Sequence, residues 1–351
     1  MADNENERDA RIDADVAFMR ELEALEAGAA DVDNEPLDLE ADVQESADEP
    51  RGDIAARLRD PRLKFGSLRF LSGLTRGESG PVREVWPTLP VERRRRLVRA
   101  MNDLAELSVE LDFARVLRIA MRDIDADVRM HAIEALWEYE GADLLTALLG
   151  VVQYDESAQV RQAAAKALAP FAVRAVTGNV PEPLVTHLHD TLLATAQNLR
   201  EPIEIHRPAI ESLGAFIDAP VAALITDLYN RGDPEDRASA LHAMGRSVDP
   251  RWLATVRAET EAEESEVRFE AARALGEIGQ AEGVPDLIAR LDDEDRAVRL
   301  AAVFALGQIG SRTATSALRE HRADADDEDW TDAIDAALIE ASYADQPLFP
   351  L

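Results

Sequence analysis

Apolar and polar positions along this chain follow a pattern that returns about every 31 residues. The two clearest copies begin at Val267-Arg268 and Val298-Arg299, and each continues with alanines three residues apart, a leucine and a glycine. Self-similarity at a fixed period of this length is typical of repeat proteins. Further copies begin at Arg94, in weaker form, and at Arg129, Arg161, His206, Arg237 and Trp330.

Each copy predicts two helices joined by an acidic turn. From Val284 to Leu291 apolar residues recur at helical spacing, residues 292–295 are acidic, and a second helix is predicted over Arg296 to Ile309. Gly310 suits the C-terminal cap of that helix, because glycine adopts the left-handed conformation without strain. The small alanines let neighbouring helices approach closely. One such unit cannot bury its apolar face alone, so neighbouring units must stack.

We therefore expect an all-α fold, a right-handed α-solenoid of about seven to eight helix pairs. Between Arg161 and His206 the step is 45 residues instead of 31, so about fourteen residues are inserted. The insertion predicts a longer first helix, from Leu184 to Asn198, and a local protrusion. Residues 111–343 form the regular solenoid in this interpretation, and residues 344–351 form a C-terminal tail.

The repeating unit reads Asp-x-x-Val-Arg-x-x-Ala-x-x-Ala-Leu-Gly-x-Ile-Gly and resembles HEAT repeats, specifically the short repeats of prokaryotic phycobilisome-lyase-like HEAT proteins. The resemblance covers roughly residues 82 to 340. It implies that the second helices line a concave face, which is the usual binding surface of the family. It implies no particular activity, because this scaffold carries many functions.

The first part of the chain divides by charge. Residues 1–50 hold 18 acidic and 3 basic side chains and predict a largely disordered tail, in which residues 12–27 could form one short amphipathic helix. Residues 51–99 reverse the sign, with 13 cations against 5 acids. We assign residues 51–110 to a basic helical segment that includes the first, divergent repeat.

The whole chain is strongly acidic, with 70 acids, 38 Lys or Arg and a net charge of −32. Such a composition is typical of a salt-loving cytoplasm and points to a halophilic archaeon, so the global charge says little about a partner. Cysteine is absent, which excludes disulfides and thiolate metal sites. The N-terminus lacks a leader pattern and no apolar span is long enough to cross a membrane, so we expect a soluble cytoplasmic protein.

A run of arginines within the basic segment is the candidate partner-binding site. Arg93, Arg94, Arg95, Arg96 and Arg99 lie on a predicted helix whose apolar stripe is buried, so we expect these arginines to be exposed. Arginine suits bidentate contacts to phosphate or carboxylate and stacking on bases, which favours contact with RNA or a ribonucleoprotein. Two other interpretations stay open: pairing with the acidic tail or neighbouring repeats, and binding to an acidic protein.

A second set of arginines recurs at the start of the second helices, beside acidic turns. Pairing with adjacent aspartates or helix termini is the interpretation we favour, which would make these arginines structural contacts between repeats. The set comprises Arg129, Arg161, Arg237, Arg268 and Arg299.

The histidines and glycines form no recognisable catalytic, metal or cofactor motif. None of the six histidines precedes a glutamate, whereas the HEAT-repeat deoxyhypusine hydroxylases bind two irons through His-Glu pairs. His187 and His189, two residues apart, would point to different faces of a helix. The segment from Gly73 to Gly80 lacks the lysine of a phosphate-binding loop. We expect no catalytic residue, no metal and no cofactor.

The sequence therefore predicts a non-enzymatic scaffold or adaptor that binds a protein or ribonucleoprotein partner through the concave face and the arginine-rich segment. Two alternatives rest on the family resemblance: a lyase- or isomerase-like protein acting on a tetrapyrrole, and a nucleic-acid-binding HEAT protein such as a DNA glycosylase. The acidic repeats argue against the second alternative, and only the name-giving members of the family support the first.

Overall fold

The computed structural model describes residues 51–108, 110–323 and 328–344 of the chain. All of these residues belong to one compact unit, Leu39–Leu351. The acidic tail expected at 1–50, its amphipathic helix at 12–27 and nearly all of the C-terminal tail lie outside the described residues.

The described residues form eighteen α-helices, with four short 3₁₀ segments and no strand. None of these helices is both long and apolar enough to cross a membrane. The 3₁₀ segments are Phe65–Leu71, Trp86–Thr88, Pro250–Trp252 and Ala281–Gly283. The helices are α1 (Ile54–Arg59), α2 (Gly80–Val85), α3 (Val91–Leu107), α4 (Ala114–Ala120), α5 (Ala126–Glu134), α6 (Ala142–Tyr154), α7 (Ala158–Ala167), α8 (Ala169–Val176), α9 (Glu182–Gln197), α10 (Ile203–Leu213), α11 (Ala219–Tyr229), α12 (Pro234–Arg246), α13 (Leu253–Glu259), α14 (Ser265–Ile278), α15 (Val284–Arg290), α16 (Arg296–Ile309), α17 (Arg312–Ala323) and α18 (Glu328–Ala344).

Sixteen of these helices form eight successive pairs that stack in chain order, which confirms the predicted all-α solenoid. Each second helix packs against the second helix of the next pair, and most first helices pack against their own second helix. Helix α1 packs on α2, and the 3₁₀ segment Phe65–Leu71 packs on α3, so both cover the first pair. The handedness of the superhelix stays a prediction. The pairs are α2/α3, α4/α5, α6/α7, α9/α10, α11/α12, α13/α14, α15/α16 and α17/α18.

Helix α16 shows how the local sequence sets the helix ends. Asp295 precedes the helix, and its carboxylate accepts hydrogen bonds from the backbone N–H groups of Ala297 (2.8 Å) and Val298 (3.4 Å). These bonds satisfy donors that have no partner inside the helix. The helix ends at Gly310, whose φ of 60° is costly for any residue with a Cβ. The predicted bounds, Arg296 to Ile309, are therefore confirmed.

The repeated small residues lie where the second helices touch. Ala271, Ala274 and Leu275 are fully buried, and so are their counterparts one repeat later. A Cβ placed on Gly276 would lie 2.8 Å from the Cα of Ala305, which leaves no room for a side chain. Glycine at this position therefore lets the backbones of α14 and α16 approach closely, and the stack depends on that approach.

The last repeat departs from the regular spacing. Gly276 faces Ala305, 29 residues later, whereas Gly307 faces Ala337, 30 residues later. As a result Ala337 is buried and Ala336 is exposed, the reverse of the strict 31-residue alignment. One additional residue between Gly307 and Ala337 accounts for the shift, because it turns the face of α18 by about a quarter of a helical turn.

The insertion between the third and fourth pairs folds as a separate helix. Helix α8 buries Phe171, Ala172 and Ala175 and contacts α9 and α10. Helix α9 is also long, at 16 residues, as predicted for the first helix after the insertion. Helix α8 is packed into the stack, because its apolar face is covered by the neighbouring helices. The local protrusion expected at the inserted residues, around 176–183 and 198–202, stays a prediction.

Replacing Gly276 by alanine is expected to lower the free energy of unfolding by about 1–3 kcal/mol, because the added methyl group overlaps the backbone at Ala305 and pushes two second helices apart. Urea unfolding followed by circular dichroism measures the change.

Gly150→Ala is the matched control. Gly150 lies within α6, and no described atom lies within 4 Å of the added methyl group. This variant is expected to gain about 0.5–1 kcal/mol, since alanine favours the helix more than glycine does. If the two variants were equally stable, the close approach of α14 and α16 would be contradicted.

Candidate functional site

An arginine at the start of α5 holds the turn of its own repeat and an acid of the next one. The Nη1 of Arg129 donates hydrogen bonds to the backbone carbonyls of Asp123 (2.8 Å) and Ile124 (3.1 Å). Its Nε and Nη2 donate to the two carboxylate oxygens of Asp155, at 2.9 and 2.8 Å. A single side chain therefore closes one turn and ties it to the turn that follows.

The same arrangement recurs along the solenoid. Arg161 donates to the carbonyls of its own turn and pairs with Glu201 at 2.7 Å. Arg268 does the same with Asp293, through two hydrogen bonds of 2.9 and 2.8 Å. Both side chains of this second pair are almost fully buried, with 6% and 3% of their surface exposed. A buried pair of this kind is favourable only when both partners are present.

Two members of the series use other contacts. Arg237 pairs with Glu259 and with Glu264, the latter at 3.2 Å. Arg299 donates to the carbonyls of its own turn, and its guanidinium lies 5.9 Å from the centre of the Trp330 ring. The last link therefore includes a cation–π contact where the earlier ones have an ion pair.

Arg94 belongs to this series and is not available to a partner, which corrects the expectation that it is exposed. Its side chain is only 7% exposed, and its Nε lies 2.7 Å from a carboxylate oxygen of Asp123. Its Nη1 donates to the carbonyl of Leu89, as Arg129, Arg161, Arg268 and Arg299 do to the carbonyls of their own turns. We call the set the arginine ladder: Arg94, Arg129, Arg161, Arg237, Arg268 and Arg299.

Three of the other candidate arginines on α3 are also held by contacts within the protein. Arg93 donates to the carbonyls of Leu58, at 2.8 Å, and Asp60. Arg95 pairs with both carboxylate oxygens of Asp125, and this hydrogen bonding lowers the pKa of Asp125. Arg99 is half-buried, with its Nε 3.4 Å from a ring nitrogen of His131.

Arg96 is the one candidate among the five that is exposed in the described structure. Helix α3 lies between the preceding segment and α5, so its polar side chains meet protein on two sides. The helical periodicity of α3 identified the buried apolar stripe correctly. It did not show that neighbouring elements also cover the arginines.

A different cleft concentrates positive charge at this end of the solenoid. It lies between α2, α4 and the start of α6 and has a volume of about 650 Å³. Trp86 forms part of its floor and is buried, and its indole Nε1 donates a 2.7 Å hydrogen bond to Asp123. We call it the arginine cleft. Its charged residues are Arg83, Arg94, Arg115, Arg118, Arg122, Asp123 and Asp143.

Both aspartates of the cleft are paired. Asp123 is held by Arg94 and Trp86. Asp143 forms an ion pair with Arg118, whose guanidinium also lies 5.0 Å from the centre of the Tyr139 ring. Partial burial alone would raise the pKa of Asp143, but the hydrogen bond and the positive charge of Arg118, together with backbone N–H donors, lower it. Neither carboxylate therefore neutralises the remaining arginines.

Three arginines of the cleft lack an acidic partner. Arg83, Arg115 and Arg122 are exposed, and no carboxylate of the described chain lies within 4.0 Å of their guanidinium groups. Arg115 and Arg122 come from α4 and the turn after it, so they lie outside the basic segment at residues 51–110. The spacing of Arg115, Arg118 and Arg122 on one face of a helix was a signal that could have found the cleft.

The second-helix face, which the family resemblance implies as the binding surface, contains a buried network of charges. Arg273 is almost fully buried and pairs with Glu270, at 2.8 Å, and with Glu277. His242 lies 3.5 Å from Glu270. Burial would raise the pKa of Glu270, but the positive charges of Arg273 and His242 lower it to about 2. The opposite charges of this network are therefore paired with one another.

A metal site on α9 would require His187 and His189 to bind the same ion. His189 instead makes contacts with Asp218, at 2.8 Å, and Asp190, at 3.1 Å. Within the ranges that the structure describes, no group of three or more His, Asp or Glu residues is arranged to hold a metal ion.

Comparison with models of known protein families gives a match in the second half of the chain. Residues 253–339 match the family model of HEAT repeats. This segment covers the pairs α13/α14 and α15/α16 and most of α17/α18, in which the 31-residue pattern is most regular. No curated protein sequence matches the chain.

Several solved structures are similar in fold to the chain. An engineered protein is 19% identical, covering 57% of this chain and 96% of its own, with a TM-score of 0.38. Human deoxyhypusine hydroxylase is 20% identical over 73% of this chain and 92% of its own, with a TM-score of 0.34. Kap95p, solved with RanGDP, is 11% identical over 82% of this chain and 50% of its own, with a TM-score of 0.40.

Replacing Arg268 by alanine is expected to cost about 2–4 kcal/mol of unfolding free energy, because buried Asp293 keeps only Arg290, at 3.2 Å, as a counter-charge and two carbonyls lose their donor. Urea unfolding at neutral pH measures the loss. The double variant Arg268→Ala/Asp293→Ala is expected to recover part of it.

Arg312→Ala is the control, since Arg312 is exposed and pairs with no described carboxylate. Its expected effect is within about 0.5 kcal/mol. A loss below 1 kcal/mol for Arg268→Ala would show that the ladder adds little to stability.

Glu270→Gln is expected to destabilise the protein at neutral pH and to have no effect in strong acid. The folded pKa of about 2 lies below the unfolded value of about 4.3, so ionised Glu270 stabilises the fold above that unfolded value. The stabilisation is lost as pH falls through the folded pKa. We expect a difference on the order of 2 kcal/mol from about pH 5 upwards that shrinks toward pH 2.

Urea midpoints between pH 3 and pH 7 test this dependence, with Glu320→Gln as the control at an exposed position on α17. A wild-type advantage that stays constant down to pH 3 would mean that Glu270 is not held by Arg273 and His242.

Proposed function

We propose that this protein is a non-enzymatic scaffold that binds an acidic protein partner at the N-terminal end of its solenoid. The observation that carries the proposal is the distribution of arginines that lack an acidic partner. The repeats that follow this end in the chain form a continuous stack, and this stack supports the binding surface.

Exposed arginines without an acidic partner gather in residues 51–122. In this region six arginines are exposed and lie more than 4.0 Å from every described carboxylate: Arg59, Arg62, Arg76, Arg83, Arg115 and Arg122. Over the remaining described residues, which are about three times as many, the comparable cations are Lys166, Arg200, Arg312 and Arg319. The charge is therefore concentrated at one end.

This distribution runs against the composition of the chain. Acids outnumber Lys and Arg by 70 to 38, so a cation on the surface has carboxylates available in most of the molecule. In the regular repeats the ladder uses its arginines for internal pairs. A positive region on an otherwise negative surface attracts an acidic partner and orients it, because its field is opposite to that of the rest of the molecule.

The partner we favour is a protein, because the aromatic residues of this region offer little surface to a nucleic acid base. Trp86 is 2% exposed, and Arg118 lies over the ring of Tyr139. Single-stranded nucleic acids are usually held by exposed aromatic rings along a basic groove. A ribonucleoprotein partner would then be contacted through its protein component.

The proposal predicts that neutralising the six unpaired arginines abolishes partner capture. We would replace Arg59, Arg62, Arg76, Arg83, Arg115 and Arg122 by glutamine in the full chain, immobilise this variant and the wild type, and compare the proteins retained from lysate of the source cells. The expected result is a loss of about tenfold or more in the amount of specifically retained protein, because several charge contacts with the partner are weakened at once.

The matched control replaces Lys166, Arg200, Arg312 and Arg319 by glutamine and is expected to retain the partner. Circular dichroism and urea unfolding establish that both variants are folded. Equal capture by the two variants would contradict the proposal, and capture that disappears after nuclease treatment would replace the protein partner by a nucleic acid.

A further inference from the structure

We infer that the arginine cleft binds an extended acidic peptide segment that carries an aliphatic side chain between its carboxylates. This inference rests on the proposed function and specifies which part of the partner protein is recognised. Three features of the cleft carry it: the charge of its walls, the exposed Ile124 at its rim and the buried Trp86 in its floor.

The walls of the cleft carry positive charge that nothing in the described chain neutralises. Arg83 reaches in from α2, while Arg115 and Arg122 reach in from α4 and the turn that follows it. The two aspartates present are already paired with Arg94 and Arg118. Guanidinium groups form paired hydrogen bonds with carboxylates, so glutamate or aspartate side chains on a peptide suit these walls.

The rim of the cleft carries an aliphatic side chain at a position where other repeats carry glutamate. Ile124 is 88% exposed and lines the cleft. Its carbonyl accepts from the ladder arginine five residues later. In three of the four other turns with this same contact the residue is Glu156, Glu263 or Glu294. In the fourth it is Leu89, which is buried, so the exposed aliphatic side chain is a feature of Ile124.

Isoleucine in place of glutamate has two effects at this site. It leaves the rim without a carboxylate that would pair with the arginines that lack an acidic partner in the described chain. It also adds an apolar surface beside them, which gains free energy when an aliphatic side chain of a ligand covers it. Together, the charged walls and Ile124 select a peptide that is acidic and partly apolar.

The floor of the cleft favours a peptide over a nucleic acid or a free phosphate. The indole N–H of Trp86 is used by Asp123, and the ring is buried, so no base can stack on it. A cleft of about 650 Å³ holds a few amino-acid residues and is within the range of small-ligand sites. It offers no long basic groove of the kind that follows a nucleic acid backbone.

The cleft is also formed before any ligand binds. Arg94 and Trp86 hold Asp123 from the first helix pair, and Arg118 holds Asp143 at the start of α6. These contacts join three successive pairs around the cleft. A rigid site loses little conformational entropy on binding, so even a short peptide can bind measurably.

Fluorescence anisotropy with synthetic probes tests the inference on the full chain. The probes are a labelled peptide of about a dozen residues with two central leucines flanked by glutamates, an all-glutamate peptide of equal length, an oligouridylate of similar length and tripolyphosphate as competitor. We expect the leucine-containing peptide to bind at least about fivefold more tightly than the all-glutamate peptide. Oligouridylate and tripolyphosphate are expected to bind more weakly than both peptides.

Two variants separate the contributions of charge and apolar contact. Arg83→Gln/Arg122→Gln is expected to weaken both peptides by about tenfold or more, because two charge-assisted contacts are lost. Ile124→Glu, which restores the residue of the other turns, is expected to weaken both peptides and to abolish the preference for leucine. Arg312→Gln/Arg319→Gln is the matched control and should leave all affinities unchanged.

Three outcomes overturn the inference: peptide affinity that is the same in Arg83→Gln/Arg122→Gln as in the wild type, a leucine preference that survives in Ile124→Glu, or tighter binding of oligouridylate or tripolyphosphate than of either peptide. If one of these occurs while the six-arginine variant still loses its partner, the proposed function stands and the recognition site lies elsewhere in residues 51–122. If partner capture is also unchanged in that variant, both proposals fail.

Discussion

Most links of the arginine ladder make two kinds of contact with one side chain: hydrogen bonds to the carbonyls of its own turn and an ion pair with an acid of the next repeat. The turn between the two helices of a repeat is thereby closed by the same group that fixes the following repeat. A guanidinium can do this because its five donors point in fixed directions in one plane. Lysine, with a single ammonium group, cannot reach both sets of acceptors, and lysine occurs only at positions 64 and 166 of this chain.

The ladder also decides how charge is distributed over the surface. It uses arginines in pairs and leaves the regular repeats with their excess of acids. At the N-terminal end the first link, Arg94 with Asp123, forms part of the floor of a cleft, and three further arginines around it have no acidic partner within the described part of the chain. The binding surface that we propose is thus built on the interaction that stabilises the repeats.

The two layers of the solenoid have different roles in this interpretation. The second helices approach one another closely at glycine and alanine, and their polar side chains, such as Arg273 and Glu270, are neutralised within the stack. The first helices and the turns are separated more widely and leave a cleft between α2 and α4. A ligand therefore finds unsatisfied charge on the side of the first helices, whereas the family resemblance directs attention to the second helices.

The sequence by itself determined the helix pairs, their period and the buried face of each second helix. The spacing of Ala271, Ala274 and Leu275 is local in the chain, and the same spacing recurs in the other repeats. The ends of α16 followed in the same way from Asp295 and Gly310. Only the tertiary structure decided that Arg94 is buried while Arg83 and Arg122 have no carboxylate partner among the described residues. A guanidinium is paired or unpaired according to carboxylates from other helices, and Asp123, which holds Arg94, lies 29 residues away along the chain. Helical periodicity shows which face is apolar, but the distance between two charges depends on how the helices stack.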